Sequence, residues 1–241
     1  MSSTTPAESQ RSIDLGDSQI AYRLRRSHRR SIGLTIDQHG LRVAAPLRAP
    51  LYEIEGLIRK HAAWVLGKLA EWQARPAQAI QPLSDGALLE VLGRPRRIKR
   101  QVSERGASAT LHDDEILLQL PVDMTAAPLL EKLLRQHARQ IFLQRLAHYA
   151  PVLGVAPPPL RLSSARTRWG SCSHHGGISL NWRLVLMPLA VLDYVVCHEL
   201  AHLREMNHSP RFWSVVEQLY PDWRAQRLAL RELGRRLPQF G

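Results

Sequence analysis

The chain holds two cysteines, Cys172 and Cys197, too few for a disulfide framework, which suits a reducing cytoplasm. No apolar run of about eighteen residues occurs, so no membrane-spanning helix is expected. The first twelve residues, MSSTTPAESQRS, lack the apolar segment of a secretory signal and read as a disordered tail. Acidic side chains are scarce too: 21 Asp and Glu against 33 Lys and Arg leave a net charge of +12. Neither a helix-turn-helix signature nor an RNA-binding aromatic pair is present, which argues against sequence-specific nucleic-acid recognition. A Gly-rich phosphate loop is also missing.

What remains is globular in character. The 241 residues are 44% hydrophobic and 22% charged, enough to bury a substantial core. The positive charge gathers in three groups: Arg23, Arg25, Arg26, Arg29 and Arg30; Arg94, Arg96, Arg97, Lys99 and Arg100; and Arg224, Arg227, Arg231, Arg235 and Arg236. Such a surface attracts nucleic acid or nucleotides non-specifically, or simply solvates the protein.

The hydrophobic pattern divides the chain after the tail into residues 13–122, β-rich with one helix, and residues 123–241, packed together as one globular unit. SIGLTIDQHGLRVAAP alternates on both sides of a turn containing Gly40, a hairpin. A helix follows from Pro50, with Ile54, Leu57, Ile58, Val65, Leu69 and Trp72 as its apolar stripe. RPAQAIQPLSDG connects it to a second strand group, from about Ala87 to Pro121, with turns at Gly93–Pro95 and His112–Asp114. A long helix then runs until GVAPPP breaks it. The succession strands, helix, strands, helix hints at duplication, although residue identities do not support a repeat. In the final third, RLSSARTRWGSCS, a turn at HHGG and ISLNWRLVLMP read as a hairpin leading straight into another helix.

That last helix carries the chemistry. In HELAHLREMNH, His198 and His202 are four apart and share a helical face, so both imidazoles can reach one metal ion. His208 completes a three-histidine set and leaves a fourth tetrahedral position open, the layout of a catalytic zinc. Glu199 lies beside the first ligand and reaches the water rather than the metal. With 11 histidines in the chain, this pattern arises by chance in about one chain in a thousand. Leu189, Leu192, Val196, Leu200 and Leu203 form an apolar stripe. Pro188 suits the first turn, the helix is expected to run to about Asn207, and Ser209-Pro210 opens the next one. Glu205 is a fallback ligand. His174 and His175 read as turn residues, and Cys197 as a small buried core residue.

Over TRWGSCS, ISLNWRLVLMP and VVCHELAHLREMNHSPRFW, the chain closely resembles the YgjP-like metallopeptidase family, relatives of SprT and WLM-type zinc proteases. The resemblance is specific from Arg166 to Trp213 and extends loosely to RRSHRRSIGLTI and WVLGKL. It implies a zincin-like α+β fold: a small, mostly antiparallel sheet packed on helices, with an N-terminal β-rich extension. It also implies zinc ligands His198, His202 and His208, with Glu199 as base. The ligand spacing equals that of metzincins, but those have Gly at the position of Glu205.

The expected function is therefore a cytoplasmic zinc-dependent metallohydrolase acting on peptide or protein, one Zn2+ per chain, with Glu199 as general base. The sequence leaves two alternatives open: a zinc-dependent nucleoside triphosphate hydrolase, and a polyanion-binding protein with a non-catalytic metal. Candidates for a second oxyanion donor are Arg168, Asn181, Arg183 and Tyr220. Trp169, Trp182 and Trp213 are expected to pack the hairpin against the helices. Arg166 and Arg168, on one face of their strand, are expected to point mostly away from the metal.

Overall fold

A computed structural model describes residues 8–37, 39–73, 80–81, 83–165 and 167–240. The fold is α+β, and the chain divides into two compact units, Met1–Ala77 and Gln78–Gly241.

In the first unit, β1 (Glu8–Leu15), β2 (Ser18–Ser27), β3 (Gly33–Asp37) and β4 (Gly40–Pro46) form a sheet of order β1-β2-β4-β3. The hairpin around residue 40 is present, with Gly40 at φ 95°. The tail expected through Ser12 does not hold from Glu8 on, because Glu8 to Ser12 pair with Arg25 to Ala21. Those residues look tail-like because they lie at a sheet edge and are exposed; residues 1–7 lie outside the described residues. The single helix expected next is two, α1 (Leu51–Lys60) and α2 (Ala62–Gln73). The break is at His61, whose ψ of 20° leaves the helical range while its N–H is shared between Leu57 and Ile58. Ile54, Ile58 and Val65 from the helices meet Leu24, Leu41 and Val43 from the sheet in one core. The side chain of Trp72 and most of the connection RPAQAIQ lie outside the described residues.

The second unit opens with β5 (Ile80–Gln81), followed by β6 (Leu88–Val91), β7 (Arg94–Val102), β8 (Ser108–Leu111) and β9 (Glu115–Leu120). The last four form a sheet of order β6-β7-β9-β8. Helix α3 (Ala126–Tyr149) covers it, burying Leu130, Leu134, Ala138, Phe142 and Leu146 at helical spacing. A short 3-10 turn to Leu153 ends it. Then come β10 (Leu160–Ser163), β11 (Gly170–Cys172) and β12 (Ile178–Asn181), a 3-10 turn over Trp182–Leu186, α4 (Leu189–Ala201), α5 (Pro210–Leu219), α6 (Trp223–Leu233) and β13 (Gln239–Phe240), which pairs with β5.

Four expectations change here. The unit boundary falls at 77/78 rather than 122/123, because the second strand group buries its apolar face with α3 and α4 in one cluster. The sheet beside α4, of order β10-β12-β11, has one parallel and one antiparallel pairing, so it is not mostly antiparallel. Helix α4 is not amphipathic: Val191 to Cys197 are buried on every side, as happens when a helix sits inside a core. It also ends at Ala201 rather than near Asn207.

Candidate metal centre

The end of α4 is made without glycine. The N–H groups of Leu203 and Arg204 donate to the carbonyls of Leu200 and Ala201 at 2.9 and 3.0 Å, tightening the last turn. His202 is the capping residue, and its Nδ1 lies 3.1 Å from the Glu205 carbonyl oxygen. With Nδ1 donating, Nε2 keeps its lone pair for a metal. The chain then reverses through His208, and the Ser209 hydroxyl starts α5 by accepting from the Phe212 N–H at 3.3 Å.

This turn brings the three predicted histidines together. Their ligand atoms all lie within 4.8 Å of one another, and Nε2 of His198 is 3.1 Å from Nε2 of His208. Two imidazoles on one tetrahedral zinc, each at about 2.0–2.1 Å, would stand about 3.3 Å apart. The His198–His208 pair already has that spacing, and His202 lies near enough for the three to close on a single ion. Glu205 does not join the cluster, and its backbone serves His202 instead.

Sequence reasoning missed the floor of the site. Phe212 is fully buried, with its ring centroid 4.9, 4.6 and 4.7 Å from those of His198, His202 and His208. Its signal was the Ser209 cap, which fixes the first turn of α5 against the triad. Trp213 stacks on His208 at 5.8 Å and on Trp223 at 4.4 Å. Trp182 enters the core and Trp169 packs on Gly234.

Electrostatics prepare the site for a cation ligand set. Burial, followed by the charges of His202, His208 and Arg227, pushes His198 down to about 3. Its imidazole is therefore neutral near pH 7, as metal binding requires. His208 is lowered as well, chiefly by desolvation.

Glu199 is 5% exposed, and its Oε2 has no hydrogen-bond partner. Burial pushes it up to about 7, against an opposing pull from Arg168. The residue fits only because β11 begins with glycine. A Cβ at Gly170 would stand 2.6 Å from Cγ and 2.7 Å from Cδ of Glu199.

The remaining candidates separate. The Asn181 side chain donates to the carbonyls of Ala165 and Arg168 at 2.7 and 3.3 Å and accepts from the Arg183 N–H, so it ties the loop before β11 in place. Arg183 lies over Trp182, and Tyr220 packs on Tyr149. Arg168, expected to point mostly away from the metal, is exposed, and its charge nevertheless reaches Glu199; Arg166 lies outside the described residues. His174 and His175 sit in an exposed turn, and Cys197 is fully buried. Part of the basic surface is structural: Arg26 donates to the carbonyls of Pro46, Leu47 and Ala49, and Arg96 is buried against the His112 carbonyl.

Among the described residues no helix is long and apolar enough to cross a membrane. Comparison with curated proteins returns no match. Among solved structures, the chain is similar to one described as the metallopeptidase zymogen of Pyrococcus abyssi abylysin. The identity is 26%, over 42% of this chain and 99% of that one, with a TM-score of 0.35. The model of the YgjP-like family, metallopeptidase domain, matches residues 30–233, and the chain accordingly belongs to that family of metallopeptidases.

Proposed function

We propose that the chain is a zinc-dependent peptidase of the cytoplasm. His198, His202 and His208 hold one zinc, Glu199 is the general base, and an extended peptide or unfolded protein is the substrate. The observation that carries this reading is the place of β11. It is an edge of the sheet β10-β12-β11, and its first residue, Gly170, lies against Glu199. An extended peptide added to that edge would gain backbone hydrogen bonds in fixed register and bring its carbonyl beside the base.

A zinc ion in the triad would supply a Lewis acid and lower the pKa of water toward about 7. Glu199, beside the first ligand with its Oε2 unpartnered, is placed to take a proton at Oε2 and return it to the leaving amine. Arg168 favours the ionised form that must accept the proton. Gly170 keeps the carboxylate in its slot, and Phe212 keeps water from the floor.

Nucleoside triphosphate hydrolysis would use the same triad and base. The charges of Arg168 near Glu199 and Arg227 near His198 are the observation in its favour. The deciding assay compares casein and unfolded peptides with a nucleoside triphosphate panel, using the zinc-loaded parent and Glu199→Gln. Peptide cleavage that disappears in the variant while zinc stays is the expected result. Glu199-dependent pyrophosphate release without peptide cleavage would replace the peptidase reading.

A further inference from the structure

We propose that Arg168 and Arg227 form a carboxylate-recognising wall beside the metal centre, so that preferred peptides carry an acidic side chain or a free C-terminus next to the scissile bond. The inference rests on the peptidase reading and narrows its substrate class.

The two arginines come from elements that touch. Trp169, the neighbour of Arg168, packs on Gly234 just past the end of α6, where a Cβ would stand 2.8 Å from Trp169 Cζ2. Arg227 lies seven residues (234 − 227) earlier on the same helix, about 10 Å along its axis. Its guanidinium carbon is 5.0 Å from the Trp213 ring centroid. That ring is in turn 5.8 Å from both His198 and His208. Arg227 therefore stands on the ligand side of the site, and Arg168 on the side of the base.

Neither cation has a carboxylate partner within ion-pair distance among the described residues, although both are exposed. Arg224, on the same helix, does have one, Glu217 at 2.7 Å. Arg168 stands two residues before Gly170, whose backbone abuts the Glu199 side chain, and Glu199 itself is buried. Apart from the buried Glu199, the two exposed guanidiniums beside the histidine triad meet no carboxylate among the described residues that would balance their charge. A neutral peptide offers a guanidinium only its backbone carbonyls, whereas a carboxylate can accept paired, charge-assisted N–H donors from either fork. Nucleoside triphosphates share the charge but need donors converging on several phosphates, and two arginines on adjoining elements suit one carboxylate better. Trp213 stiffens Arg227 by cation–π stacking, which lowers the entropy lost on binding.

The test uses the full chain, zinc-loaded and carrying Glu199→Gln to block turnover. Fluorescence anisotropy measures its affinity for peptides of one sequence, with Glu or Gln flanking the central bond and with a free or amidated C-terminus. At least one carboxylate-bearing form should bind roughly tenfold tighter than the neutral amide. Adding Arg168→Gln and Arg227→Gln together should close that gap, Arg227→Lys should retain most of it, and rising salt should shrink it. Zinc content is measured first. Should Arg227→Gln lose metal, Arg168→Gln alone carries the comparison.

Equal affinity for all peptides, no peptide binding, a gap that survives the double replacement, or tighter binding of nucleoside triphosphate would each overturn the proposal. Glu199-dependent cleavage of neutral and acidic peptides at equal rates would sink this inference while leaving the peptidase reading intact.

Discussion

The sheets β1–β4 and β6–β9 have the same construction and different company. Each is two hairpins joined by parallel pairing of its second and fourth strands over six residue pairs, giving orders β1-β2-β4-β3 and β6-β7-β9-β8. The first closes with α1 and α2 over a core of its own. The second shares its core with α3, α4 and Phe212. Its turn supports the start of the metal-site helix. The Leu92 N–H donates to the Val185 carbonyl at 2.7 Å, and a Cβ at Gly93 would stand 3.1 Å from Pro188 Cα. Leu92 adopts a left-handed φ of 54° to make that approach, a conformation costly for a branched side chain. A strand order therefore says little about chemistry. What packs on the sheet decides it.

The sharpest way to separate the two regions is to remove a ligand. His202→Ala should lower bound zinc from one per chain to near zero by elemental analysis and abolish peptide cleavage. Hydrogen exchange in β2 and β4 should stay as in the parent, because their core contains no part of α4. Stripping zinc with a chelator should reproduce the same split. Full zinc occupancy in the variant would remove His202 from the ligand set.

Ion pairs offer a second contrast. Asp193 on α4 is buried and takes a bidentate grip from Arg145 on α3, at 2.6 and 2.8 Å, with the Tyr149 hydroxyl at 3.2 Å. On the first sheet, Glu8 meets Arg42 at 3.1 Å and Arg23 at 4.0 Å with all three side chains partly in solvent. Asp193→Ala strands a cation in a low-dielectric site and should cost about 3–5 kcal/mol in denaturant unfolding. Glu8→Ala should cost less than about 1 kcal/mol. Comparable losses would mean that the two pairs are equally solvated.

How much of this was legible follows from the range over which each feature is encoded. His198, His202 and Glu199 were readable because one helical turn places them, and the Gly40 hairpin because alternation and a turn residue are local. The end of α4 was not readable: Leu203, Arg204 and Glu205 are good helix formers, and only tertiary position turns the chain there. The start at Glu8 was hidden because an edge strand exposed on both faces shows no alternation. The 77/78 boundary depends on which core the strands from Leu88 to Leu120 join, and their pattern fits either. Gly170 required the packing itself to be seen, and for Phe212 the Ser209 cap marked the helix start but not the ring's place under the triad.

A matched pair of cavities tests whether separate cores mean separate consequences. Ile58 belongs to the first core and Leu180 to the second, and both are fully buried. Ile58→Ala and Leu180→Ala should each cost about 2–5 kcal/mol. Leu180 pairs with Gly170 in register, so its loss should also loosen β11 against Glu199 and lower turnover per bound zinc. Ile58→Ala should leave that ratio unchanged, and a fall there would show that the first core supports the site.

The last contrast concerns pH and follows from the charged groups that the second core buries. In the metal-free chain Glu199 rises from its ordinary 4.5 to about 7. Between those values the folded form holds a proton that the unfolded form has released, so stability falls as pH rises through that window. His198 moves the other way, from 6.5 to about 3, and its contribution rises with pH between those values. The two slopes oppose each other from 4.5 to 6.5. Glu199→Gln removes the falling one. Relative to the parent, the metal-free variant should therefore gain on the order of 2–3 kcal/mol between about pH 4.5 and pH 8. Urea unfolding of chelator-treated protein at the two pH values measures the difference. A gain independent of pH would mean that Glu199 is not held in a desolvated slot, and that the close fit against Gly170 relaxes in solution.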